Sequence, residues 1–160
     1  MTTASSAPTG GAFPKAAWRA GSQVFDLSGR SIWKNTRVRL LDCYALNVAG
    51  RDAWFYAYDD FDLHQVTDLT HAGSYETGLS GCENFALSGT LALFSAEYHD
   101  PAHRFHLVTL ADGSTPLPAP LTITQQGGAA FGKGDIRMRG PYLHVFAQGA
   151  WYRGHIDDLK

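Results

Sequence analysis

The sequence predicts an all-β domain assembled from repeated antiparallel meanders. Three observations carry that expectation. Three stretches run in phase: AlaGlyArgAspAlaTrpPheTyrAla (49–57), SerGlyThrLeuAlaLeuPheSerAla (88–96) and ArgGlyProTyrLeuHisValPheAla (139–147). Each places an alanine (Ala57, Ala96, Ala147) seven residues after its glycine (Gly50, Gly89, Gly140). Each is closed by a leucine (Leu69, Leu110, Leu159) 19, 21 and 19 residues after that glycine. A repeated unit of this size is one supersecondary element used several times. Second, apolar residues alternate with period two or form short continuous runs, and no sustained helical stripe occurs. Third, turn signals punctuate these runs: AspLeuSerGlyArg (26–30), ThrHisAlaGly (70–73), AlaAspGlySer (111–114) and GlnGlyAla (148–150).

In chain order, residues 1–14 are small and polar, with Pro8, Gly10 and Gly11, and are expected to form a disordered lead into a single all-β domain over 15–160. Ala17–Leu41 adds about two strands. Repeat units follow near 42–80, 82–125 and 134–160. Each reads as a short strand, a turn at the glycine, a second strand, a polar loop and a third strand. In the middle unit these strands are expected at Asn84–Ser88, Thr90–Tyr98 and Arg104–Leu110. Pro116, Pro118 and Pro120 then suit an outer edge, since proline cannot donate to a ladder. The last unit ends after its third strand.

Four-stranded meanders repeating every 40–50 residues are how propeller blades are built. In this respect the chain resembles a β-propeller over about residues 17–160. The resemblance implies a small or partial propeller-like ring, with an N-terminal strand or a second copy (a homodimer) completing it. No TrpAsp ends a third strand, and AspLeu (68–69, 158–159) stands in its place. An antiparallel barrel or a sandwich are the alternative arrangements.

Composition bounds the function. With 44% apolar residues and a net charge of −2, the chain is globular and too near neutral for a general nucleic-acid binder. No apolar run is long enough for a membrane helix, and the N-terminus lacks the pattern of a secretory signal. The expectation is a soluble, cytoplasmic protein without nucleic-acid or membrane partners. Cys43 and Cys82 each precede a unit's glycine by seven residues, which reads as two small buried hydrophobes or a cross-link between repeats.

Candidate chemistry is sparse. HisAspProAlaHisArgPheHis (99–106) could supply His99, Asp100 and His103 to a metal, but solvated loop histidines are the commoner outcome. His106 recurs as His155 four residues before the closing leucine, which reads as structural. Asp59, Asp60 and Asp62 lack the glycine and distant glutamate of a calcium loop and suit turn chemistry instead. GlnGlnGlyGlyAlaAlaPheGlyLysGly (125–134) lacks the phosphate-loop order. No nucleophile elbow occurs. Phe55, Phe85, Phe94 and Phe146 are expected between packed sheets.

The reading that follows is a non-catalytic protein-interaction module with no cofactor and no catalytic or metal site. It binds a protein partner through a rim of loops, as inhibitors and immunity-type proteins do. Tyr58, Asp59, Asp60, Tyr98, His99, Asp100, His103 and Arg104 are the expected binding residues, because polar loops on rigid strands carry function. A carbohydrate-binding lectin and a metal-dependent hydrolase using the 99–106 loop are the alternatives.

Overall fold

A computed structural model describes residues 22–101, 103–111, 118–125, 127–129, 131 and 134–159. The expected disordered lead and the Asp112–Ser114 turn lie outside these residues. The chain divides after Leu40 into two compact units.

The first unit contains a two-stranded antiparallel hairpin, β1 (Gln23–Phe25) and β2 (Ser31–Lys34). Asp26 makes its turn. One carboxylate oxygen accepts the Ser28 and Arg30 amides, both at 3.0 Å, and the Ser28 hydroxyl at 2.6 Å. This is the local backbone capture that favours aspartate at turns.

The second unit holds three antiparallel sheets, each a meander. β3 (Cys43–Ala49), β4 (Asp52–Ala57), β5 (Leu63–Thr67) and β6 (Thr70–Tyr75) make the first. β7 (Phe85–Ser88), β8 (Leu91–Phe94), β9 (Arg104–Thr109) and β10 (Ala119–Thr122) make the second, with Pro120 on the β10 edge. β11 (Gly134–Arg139), β12 (Tyr142–Ala147) and β13 (Ala150–His155) make the third, followed by a 3₁₀ turn at Ile156–Leu159. The protein is thus all-β, and its sheets pair only antiparallel strands. Gly50, Gly89 and Gly140 join first and second strands with φ of 64°, 57° and 53°, the left-handed region open to glycine.

One turn and the closing leucines depart from expectation. ThrHisAlaGly (70–73) is strand, and the turn before it is Asp68–Leu69, both left-handed. The closing leucines are not equivalent: Leu110 is buried, whereas Leu69 is exposed on that turn.

The second sheet is apolar on both faces because both are covered. Phe85, Leu87, Ala92, Phe94 and Val108 face a cluster shared with Ala45, Trp54, Tyr56 and Leu63 of the first sheet. Ala86, Leu93 and Phe105 face a second cluster with Met138, Leu143, Val145 and Ile156 of the third. That explains the near-continuous apolar run from Phe85 to Phe94. On the opposite face of the third sheet Phe146 is 46% exposed, contrary to expectation. It pairs across strands with Trp151, their rings parallel within 8°.

The first strands β3, β7 and β11 lie against one another. Asn47, on β3, joins them. Its Nδ2 donates to the Phe85 carbonyl at 2.8 Å and the Gly140 carbonyl at 3.1 Å, and its Oδ1 accepts the Gly140 amide at 2.7 Å. The Leu87 amide also donates to the Gly140 carbonyl, at 2.9 Å.

Candidate functional site

The β4–β5 and β8–β9 loops emerge at the end of the sheets opposite the glycine turns. Tyr44, at the start of β3, contacts Tyr58, Phe61 and Tyr98, with ring centroids 5.5, 6.1 and 6.0 Å away. Phe61 completes the cluster edge-on to Tyr58 and Tyr98, at 5.6 and 6.3 Å. Tyr58 and Tyr98 remain 46% and 53% exposed, so two of the expected binding residues form one solvent-facing aromatic patch. Tyr44 and Phe61 escaped the sequence reading because cluster membership requires a contact between distant loops.

Local chemistry holds this patch. The Asp62 amide bonds to Asp60 Oδ1 at 3.0 Å, making the turn. Phe61 sits at φ 57°, a costly conformation for a bulky residue. Its amide donates to the Ala57 carbonyl at 3.0 Å, and its carbonyl accepts the buried Thr77 hydroxyl at 2.8 Å. The Tyr98 hydroxyl donates to that of Tyr44, a bond that, ahead of desolvation, pushes the Tyr98 phenol up to about 12. Tyr98 also lies flat over Gly81, where a Cβ would come within 2.5 Å of its ring.

Beside the patch are two adjoining clefts. One, of about 490 Å³, is lined by Asp42, Cys43, Tyr44, Glu83, Asn84, Tyr98 and Arg137. The other, of about 410 Å³, shares four of these residues and adds Glu97, Asp100 and Asp135. Among the described lining residues five carboxylates face one guanidinium, that of Arg137, which is already paired with Asp135 at 2.5 Å. The clefts are acidic.

The remaining expected residues divide by role. Asp59 accepts the Leu41 amide at 2.6 Å, so it tethers the loop as well as facing solvent. Asp60 lies 3.4 Å from buried His64. Burial, and then the Asp60 charge, raise the Asp62 carboxyl above its usual range. Asp100 accepts from His106 Nε2 at 2.5 Å, a bond that holds its carboxyl below the usual range. Arg104 reaches Asp100 at 3.7 Å. His99 and His103 are exposed on the loop and are not drawn into the carboxylate–His106 group. His106 is thus the histidine that the fold brings to the carboxylates.

Neither thiol is activated, and both are free. Burial pushes Cys82 up to about 12. Cys43 is likewise raised by desolvation but is exposed overall, so the two cysteines are not the equivalent buried hydrophobes that their spacing suggests.

No protein-family model matches this chain, and no curated protein or solved structure matches it at a significant level.

Proposed function

We propose that this chain is a non-catalytic protein-interaction module that grips a partner at the rim formed by Tyr44, Tyr58, Phe61 and Tyr98. The carrying observation is the four-ring patch beside the acidic clefts. Exposed tyrosines on a rigid frame are the usual anchors of protein interfaces. A lysine or arginine of the partner entering the cleft meets Asp42 and Glu83 with tyrosine faces alongside, which combines charge pairing with cation–π attraction. An inhibitor or immunity-type protein works in this way, by plugging a basic surface. Two free cysteines suit a reducing, cytoplasmic setting.

The architecture that accompanies this reading is a partial propeller. Its support is the convergence of the first strands β3, β7 and β11 and the burial of the middle sheet on both faces.

A photo-crosslinking residue at Tyr98, in the full chain in its native cell extract, tests the function. The expected result is one stoichiometric protein adduct that is absent when the crosslinker replaces exposed Leu69. Adducts of equal identity and yield from both positions overturn it.

A second reading, carbohydrate binding, rests on the Phe146 face of the third sheet. Trp151, Phe146 and Tyr142 line it, with Arg153 over the Tyr142 ring at 5.0 Å. Saturable glycan binding lost in Trp151→Ala would favour it.

A further inference from the structure

We infer that Glu97, Asp100 and His106 form a binding site for one divalent transition-metal ion, with Zn²⁺ the fitting probe. This inference goes beyond the protein-interaction reading and does not rest on it.

The three side chains come from one short stretch of the second sheet. Glu97 and Asp100 sit in the β8–β9 loop, and His106 sits on β9 opposite Phe94 of β8. One donor atom from each lies within 4.8 Å of the others. His106 Nε2 is 2.5 Å from Asp100 Oδ2 and 3.9 Å from Glu97 Oε2. Ligands about 2.0–2.2 Å from a tetrahedral metal stand about 3.3–3.6 Å apart, between these two separations. Small rotations of the two loop side chains bring the set into register.

Each ligand is already oriented. Glu97 Oε1 accepts the Ser80 amide at 2.7 Å and the Ser80 hydroxyl at 3.1 Å. That leaves Oε2 turned towards His106 at a distance too long for a hydrogen bond. Such outer partners are how proteins fix metal-binding carboxylates. His106 is 7% exposed, and β9 fixes its backbone. Glu97 and Asp100 also line the 410 Å³ cleft, which leaves room for water or another ligand to complete the coordination.

The charge balance favours a cation. Two carboxylates meet a single imidazole, and the Arg104 guanidinium, paired with Asp100 Oδ1 at 3.7 Å, offsets one of the two charges. A divalent ion neutralises both carboxylates, and the proton on Nε2 of the neutral imidazole moves to Nδ1 by way of solvent, leaving Nε2 to coordinate. One nitrogen and two oxygens suit Zn²⁺ or its neighbours in the transition series better than Ca²⁺ or Mg²⁺, which prefer all-oxygen shells. Three protein ligands with an open position are the arrangement in which zinc polarises water or a carbonyl. His99 and His103, the histidines that the loop sequence offers first, have no part in the set.

Calorimetric titration of the chelator-stripped full chain with Zn²⁺ tests the inference. One equivalent is expected to bind. Glu97→Gln and Asp100→Asn should each weaken binding by at least tenfold. Ser80→Ala acts through Glu97 and should weaken it about tenfold, in the range seen for outer-shell partners. A double His99→Ala, His103→Ala variant should bind as the wild type does. Nitrogen-15 spectra of the unmodified protein provide a readout independent of any variant's folding, because Zn²⁺ should shift the His106 Nε2 resonance. Absence of saturable binding, an unmoved His106 resonance, or loss of binding only in the His99/His103 variant would each overturn the site.

Discussion

Asn47 shows how much one side chain can tie together. Its amide serves backbone groups of β7 and of the turn after β11, which lie 38 and 93 residues away in sequence. Asn47→Leu removes the side-chain partner of the Phe85 carbonyl and the Gly140 amide, whereas the Gly140 carbonyl keeps the Leu87 amide, and a buried group left unpaired costs about 1–3 kcal/mol. The urea midpoint is expected to fall accordingly, with little change in the slope of the transition. His64 gives a second prediction. It is buried against Phe55 at 5.0 Å and Ser74 at 2.8 Å, with His71 and Asp60 also facing it. Desolvation lowers its folded-state value more than Asp60 raises it. The unfolded chain therefore takes up this proton first. The contribution of neutral His64 is intact above about pH 6.5 and is lost as the pH falls towards its lower folded value. In an NMR titration the His64 ring should protonate at a lower pH than a histidine in a short unstructured peptide does. Neither residue was legible in the sequence, since Asn47 resembles a turn residue and His64 a solvated one until distant strands close over them.

Among the elements, the meanders were the most legible feature. Local glycine chemistry and period-two patterning dictate a hairpin with little help from the rest of the chain. Gly89 has open space where a Cβ would stand, so only its φ of 57° resists a side chain. Gly89→Val should cost about 1–3 kcal/mol, as a strained backbone does, and lower the thermal midpoint by several degrees. Gly81 differs, because there the Tyr98 ring occupies the space a Cβ would take. Gly81→Ala should displace Tyr98 from the aromatic patch and raise its solvent exposure, as read by iodide quenching, while the far-ultraviolet spectrum is kept. The exposure of Phe146 was not legible. Alternation places Phe146 on one face of β12, but whether another layer covers that face is decided by which sheets pack together.

At the scale of the molecule, the middle sheet is clamped between two others, and polar loops gather at one end of that stack. Tyr58 and Tyr98 were legible as rim residues because polar insertions into apolar strand pairs mark loop positions. Their joining with Tyr44 and Phe61, and the acidity of the adjoining clefts, depend on contacts between sheets that no local pattern encodes. If this rim is the binding surface, its tyrosines must carry the affinity for the crosslinked partner. The dissociation constant of that partner should therefore be compared between the wild type and a Tyr58→Ala, Tyr98→Ala double variant whose thermal midpoint is checked first. Hot-spot tyrosines removed together should weaken binding by at least 30-fold, about 2 kcal/mol, mostly through faster dissociation. An unchanged dissociation constant in a variant that still folds would place the binding surface elsewhere.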